Sequence, residues 1–210
     1  NNENIDKDLL VYGEQGLGDV IQMSRYVKVL VDEGMNVTFQ VNANLYPLFK
    51  AMPEIADTVV DERPVSYNQY VSIMSLPFEF QTELDTVPEL PKVDLPKEDM
   101  LRWQAELGTR TAKRVGIVNS GNPNHLNDFN RSVLLSELLS ALPTENEYYL
   151  LQKDVREDDL TYLQSADCKY TVHVLSEKLN HFIDTACVCE LMDIVVGVDT
   201  SVIHLAGTLG

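Results

Sequence analysis

Leu9-Leu10-Val11-Tyr12-Gly13-Glu14-Gln15-Gly16-Leu17-Gly18-Asp19-Val20 is the stretch whose reading decides the fold. Four apolar residues read as a buried strand, and the glycines that follow read as a tight turn. Residues 19–33 then have a helical pattern, which Gly34 stops through its freedom to adopt positive φ. The same alternation continues outward. Residues 36–41 form a strand supported by β-branched side chains, residues 45–52 a short helix, and residues 58–61 and 70–74 two further strands. Strands alternating with helices point to a parallel sheet with crossover helices.

Pro77, Pro88, Pro91 and Pro96 mark a stretch with little regular structure. Residues 97–107 resume a helical pattern with Met100, Trp103 and Leu107 on one face, and the polar, aperiodic residues 108–113 read as an interdomain linker. The pattern then restarts with a strand at 115–118, a helix at 136–142, a strand at 148–151, a helix at 158–164 and a weaker strand at 170–174. A helix at 185–192 follows, with Asp184-Thr185 as its cap, then an apolar run at 194–198 expected to be strongly buried, and a helix from 201 to 209. The expected class is α/β, with two Rossmann-like domains at 1–108 and 113–210. The second, with about four strands where doubly wound sheets more often have five or six, is expected to be incomplete at its C-terminal end.

Lys and Arg number 16 against 33 Asp and Glu, a formal net charge of −17 that would repel a nucleic acid, whose binding depends on basic side chains. A local basic pocket for a small phosphate ligand is compatible with that average. No stretch reaches the roughly 20 apolar residues of a membrane helix, and Asn1-Asn2-Glu3-Asn4 lacks a signal pattern, so no integral membrane segment and a cytoplasmic location are expected. Cys168, Cys187 and Cys189 have neither zinc-like nor easy disulfide spacing, and reduced, partly buried thiols are expected.

Three segments could carry chemistry. In the first, Gly16 and Gly18 let the backbone approach a ligand at a helix N-terminus. Their spacing is neither the dinucleotide fingerprint nor a P-loop. Asp19 opens that helix either as a plain cap or as a group facing the carboxyl edge of the sheet. The second is the polar loop that contains Asn119, Ser120, Gly121, Asn122, His125 and Arg131. Arg131 and His125 could meet phosphate oxygens there, or the loop could be a chain of Asx turns. In the third, Asp199, Thr200, Ser201 and His204 bracket a strand end and a helix start, suited to a diphosphate or to ordinary capping. Lys153, after another strand, either faces the same edge or lies in solvent.

The stretches GEQGLGDVIQMSRY, VNSGNPNHLNDFNRS and VVGVDTSVIHLAGTLG occur in the order seen in family 9-like glycosyltransferases. The chain most resembles the region that follows tetratricopeptide repeats in bacterial proteins. More distantly it is similar to the lipopolysaccharide heptosyltransferases. The resemblance implies a GT-B fold, with acceptor on the first domain and nucleotide-sugar donor on the second. It further implies that Asp19 is a general base beside Gly16, Gly18 and Gln22, and that Asp199, Thr200 and His204 hold the donor diphosphate. Ser201 stands where the heptosyltransferases usually carry glycine, and the segment HLNDFNRS replaces their lysine-bearing loop, so ADP-heptose is not implied as donor.

The expected activity is inverting transfer of a sugar to an acceptor hydroxyl of a surface glycan or protein. The nucleotide sugar is then a substrate, with no cofactor. No carboxylate pair with metal-ligand spacing is evident, so metal-independent transfer is expected. Upstream tetratricopeptide repeats are a further implication of the resemblance. A non-catalytic sugar-nucleotide-binding module and a sugar-nucleotide epimerase are the alternatives. A NAD-dependent oxidoreductase ranks last because the fingerprint is absent.

Overall fold

A computed structural model describes residues 8–61 and 64–210. The polar N-terminal residues 1–4 lie outside the described residues. The chain divides into two compact units, one holding the described residues to Pro96 together with Thr208–Gly210, the other Lys97–Gly207.

The first unit contains β1 (Asp8–Tyr12), α1 (Leu17–Asp32), β2 (Asn36–Gln40), α2 (Tyr46–Lys50), β3 (Val59–Val60), β4 (Gln69–Ser72) and α3 (Leu76–Glu79). Its parallel sheet has the order β3-β2-β1-β4. Helix α1 buries Val20, Ile21, Ser24, Val27 and Leu30, the i, i+3, i+4, i+7 spacing of a stripe facing a sheet. Ile21 and Val27 are completely buried, each contributing about 1.5–3 kcal/mol of apolar transfer. Gly34 ends the helix with φ +79°, and its N–H and that of Met35 reach back to the carbonyls of Val31 and Leu30. Strand β4 is shorter than expected: Ser72 Oγ accepts from the N–H of Met74 at 3.2 Å, which turns residues 73–75 into a single 3₁₀ turn.

The second unit contains α4 (Lys97–Leu107), β5 (Arg114–Val118), α5 (Asp128–Arg131), α6 (Leu135–Ser140), β6 (Glu147–Leu150) and α7 (Glu157–Gln164). These are followed by β7 (Thr171–Val174), α8 (Phe182–Glu190), β8 (Ile194–Gly197) and α9 (Ser201–Leu209). Its parallel sheet runs β7-β6-β5-β8. Each unit therefore repeats one topology: its first strand lies inside the sheet, with the second strand on one side and the fourth on the other. The order reverses at that strand, and open α/β sheets bind ligands at the carboxyl end of such a switch point.

Two features differ from the sequence expectation. The 194–198 run is not strongly buried: Ile194 is 56% exposed and the rest of β8 is half-buried or exposed, because β8 is an edge strand. The contact boundary between the units falls at Pro96/Lys97 rather than at 108–113. Helix α4 packs on α8 through Trp103, which is fully buried and donates its indole N–H to Asp184 Oδ1 at 3.0 Å. Asp184 also pairs with Arg102 and accepts the backbone N–H groups of Asn180 (2.8 Å) and His181 (3.1 Å). It caps α8, as expected, from inside a helix that begins three residues earlier than the sequence pattern suggested.

Candidate functional site

In the first unit the glycine-rich turn leaves the end of β1 at the β1/β4 switch point. Gly13 donates to the carbonyl of Gln40 at 2.9 Å, and a Cβ there would stand 3.2 Å from Val20, so the turn lies close against α1. Gly18 is buried, Gly16 is exposed, and Gln22 is half-buried one turn along. Asp19 Oδ2 accepts from the N–H of Gly16 at 3.0 Å. The carboxylate therefore caps α1, and only its other oxygen is left to meet a ligand.

In the second unit, the loop after β5 is built on a buried polar network. Asn119, fully buried, donates its side-chain amide to the carbonyl of Val133 (2.9 Å) and to Asp159 Oδ2 (2.8 Å). Gln152, at the end of β6, accepts the N–H of Asn119 at 3.0 Å and donates to Ser120 Oγ at 2.8 Å. Asp159 uses its other oxygen for the N–H of Leu135 at the start of α6 (2.9 Å). Gly121 donates to Ser132 Oγ (3.1 Å), which in turn donates to Asp128 Oδ1 (2.8 Å). Arg156 closes this network on Asp128 and on Ser132 Oγ. Burial alone would raise the Asp128 carboxyl. Hydrogen bonds from Ser132 and Arg156, the charge of Arg156 and a weaker hydrogen bond from Arg131 outweigh it and hold the group below the usual carboxylate range.

Because Asp128 is already engaged by Ser132 and Arg156, Arg131 obtains little from it, an Nε–Oδ1 contact of 3.5 Å. The guanidinium instead lies over Gly121 and reaches the carbonyl of Asp199 at 3.4 Å. The second and third candidate segments are thus brought together at the carboxyl ends of β5 and β8, the switch point of the second sheet. There Ser201 opens α9. His204 Nε2 lies 3.2 Å from the exposed Asp199 carboxylate, and Thr200 supplies its carbonyl to the N–H groups of Ile203 and His204. Thr200 Oγ1 and Asn119 Oδ1 are buried without a hydrogen-bond partner among the described residues. Such atoms are few in native structures and call for an explanation, a bound ligand among them.

The remaining expected residues are less involved. Asn122 Oδ1 accepts from the N–H of Asn124 (2.9 Å), and exposed His125 accepts through Nδ1 from Asn127 (3.2 Å), so both organise turns. Lys153 is exposed and donates to the carbonyl of Ser176 (2.9 Å) after β7. Its neighbour Gln152 points inward in its place, one residue along a strand end where successive side chains alternate. Asp128, Ser132, Arg156 and Asp159 also support the loop and were not expected to. Among the described residues no group of three His, Cys, Asp or Glu side chains is arranged to hold a metal ion. Among the same residues no helix is long and apolar enough to cross a membrane.

Arg131 and the start of α9 together offer guanidinium donors and helix N–H groups at one sheet edge, an arrangement suited to phosphate oxygens. The two repeated sheets define a GT-B-like α/β protein with the fold of the glycosyltransferase family 9 structures. One of these is the family 9 glycosyl transferase of Veillonella parvula, which matches 100% of this chain and 81% of its own at a TM-score of 0.62 and 11% identity. Another is the ADP-heptose lipopolysaccharide heptosyltransferase II of E. coli, at TM-score 0.51 and 11% identity over 96% of this chain and 82% of that one. The iron-containing dodecameric glycosyltransferase TibC of enterotoxigenic E. coli matches 97% of this chain and 56% of its own, at TM-score 0.59 and 13% identity. No protein-family model and no curated protein sequence matches the chain. At these identities the likeness is one of fold.

Proposed function

We propose that the protein is a glycosyltransferase that moves a sugar from a nucleotide-sugar donor to an acceptor hydroxyl, with the donor diphosphate held by the second unit. One observation carries this reading: the Arg131 guanidinium lies between the loop after β5 and the start of α9, with only two long polar contacts of its own among the described residues, at 3.4 and 3.5 Å. A guanidinium has five N–H donors, and so weakly engaged a group is available to an anion. Thr200, at the start of α9, adds a buried hydroxyl without a partner among the described residues.

In the reaction the acceptor oxygen attacks the anomeric carbon while the bond from that carbon to the diphosphate oxygen breaks. Asp19 takes the proton from the acceptor hydroxyl through the carboxylate oxygen that does not cap Gly16. Charge developing on the leaving diphosphate is met by Arg131 and by the N–H groups and positive dipole end of α9. Attack from the face opposite the leaving group inverts the anomeric configuration. Arg131 and the helix terminus supply the positive charge, so the transfer is proposed to be metal-independent. A protein or glycan acceptor is proposed.

The test is to incubate the chain with nucleotide sugars and follow release of nucleoside diphosphate, with and without candidate acceptors and with and without EDTA. Release that depends on acceptor, survives EDTA and yields the inverted anomer by NMR supports the reading. Conversion of a sugar nucleotide without acceptor, or binding with no turnover, replaces it with an epimerase or a binding module respectively.

A further inference from the structure

We propose that the β1/β4 end of the first unit is a binding site for a neutral pyranose, with Tyr12, Tyr67 and Tyr70 as its stacking surface and Glu14 and Ser72 as its hydroxyl-reading pair. The assignment deepens the glycosyltransferase reading and rests on it only for calling this sugar the acceptor.

The placement follows from register. Ser72 lies directly opposite Tyr12 across the β1/β4 pair, so their side chains share a face. Tyr70, two residues before Ser72, shares it too, because side chains alternate along a strand. The Tyr12 and Tyr70 rings are 6.3 Å apart at 44°, and Tyr67 meets Tyr70 edge-on at 5.8 Å. Tyr70 is 67% exposed and Tyr67 48%. Strand β4 is an edge, so this aromatic surface ends in solvent beside the switch point.

The same corner carries a fixed polar pair. Ser72 Oγ accepts from the N–H of Met74, which leaves its single proton for Glu14, and it donates that proton to Glu14 Oε1. Among the described residues Glu14 makes no other hydrogen bond, so Oε2 is an open acceptor. Gln15 takes left-handed backbone at φ 65°, a conformation uncommon for a residue with a side chain and concentrated at functional turns. Glu14, the residue before it, reaches across to Ser72 at the end of β4.

A pyranose offers an apolar C–H face to an aromatic ring and a rim of hydroxyls to a carboxylate. Tyrosine combines an apolar body with a polar tip and suits such a ligand. Acidic side chains outnumber basic ones through residues 1–96, which disfavours a charged acidic sugar or a phosphate here. An alkylammonium would also be attracted to ring faces and a carboxylate. Tyr67 and Tyr70, however, pack edge-on against each other instead of framing a cation, and Ser72 would have no role with one.

The test is a titration of the chain, labelled with ¹³C in its tyrosine rings, with the methyl pyranosides of glucose, galactose and mannose. At least one should shift the Tyr12 and Tyr70 resonances saturably. Tyr70→Ala and Glu14→Gln should each weaken it about tenfold, with unchanged thermal midpoints showing that both variants fold. Methyl glucuronide should bind more weakly than the neutral sugars. No saturable shift with any of the three, unchanged affinity in both variants, or saturation by tetramethylammonium alone would overturn the site. Nucleotide binding is read on the second unit, so failure of the donor site and failure of this one are separately visible.

Discussion

The Arg131 guanidinium lies against the α-carbon of Gly121, so closely that a Cβ at Gly121 would stand 2.4 Å from its Nη2 and 2.6 Å from its Cζ. The absence of a side chain at 121 thus sets where the cation sits. The atoms displaced by a Cβ are the far end of a flexible side chain, and Gly121 does not have positive φ. Gly121→Ala is therefore expected to change stability by only about 0.5 kcal/mol. Its affinity for nucleoside diphosphates should fall about tenfold as the guanidinium is pushed off the α9 start. Calorimetric titration beside a melting curve separates the two effects.

Asp184 is the main polar tie between α4 and α8. Its strongest support comes from the buried Trp103 N–H and two backbone N–H groups, since Arg102 is half exposed. Asp184→Ala should cost about 3 kcal/mol, measured by denaturant unfolding, because buried donors lose their acceptor.

The same carboxylate makes stability depend on acid. Burial would raise the Asp184 carboxyl, but the hydrogen bonds from Arg102, Trp103, Asn180 and His181 outweigh it and hold the group below its ordinary value. A carboxyl lowered in the folded state contributes stability that is complete above its unfolded value, about 3.9, and is lost as pH falls through the folded one. Asp128 is shifted in the same direction. The thermal midpoint is expected to fall below about pH 4, and Asp184→Asn should flatten that fall. A wild-type slope retained in the variant would contradict the assignment.

Cys187 and Cys189 are buried, and burial pushes both thiols up to about 12. Neither should react with a thiol reagent at pH 8 in the folded protein, whereas half-buried Cys168 should. Counting modified thiols by mass spectrometry before and after denaturation checks this, and rapid modification of Cys187 would contradict the packing around α8.

Asp19→Asn separates the two roles open to that residue. The amide retains an acceptor for the Gly16 N–H, so the loss of cap should be under about 1 kcal/mol. Turnover should drop about 10²-fold or more if the carboxylate removes the acceptor proton. Full turnover in this variant would leave Asp19 as a cap alone.

Much of this fold is legible in the sequence alone. The apolar runs of β1 and β5, the glycine turn and the Gly34 stop depend on local chemistry, and they lie where that chemistry puts them. Edge position is different. The run at 194–197 has the apolar character of a central parallel strand, and only the sheet order makes it an edge. The partner of Trp103 lies 81 residues away, so nothing near 97–107 shows that this helix packs in the second unit. Asp159 and Gln152 support Asn119 across 40 and 33 residues, which no local spacing reveals. Asn119, Gly121, Arg131 and Thr200 were visible as polar residues after strands, because the carboxyl ends of parallel strands are where such folds place ligand groups. Glu14 and Ser72 were not, since their pairing joins two strands 58 residues apart.

The most direct test of a donor diphosphate site at the β5/β8 switch point is a thermal-shift series with UDP, ADP, GDP and CDP on the whole chain and on Arg131→Ala. A ligand that binds only the folded state at 100 times its dissociation constant adds about 2.7 kcal/mol. The midpoint should rise clearly with at least one diphosphate, and that rise should be lost in Arg131→Ala. No rise with any of the four, or a rise that Arg131→Ala leaves intact, would contradict that site.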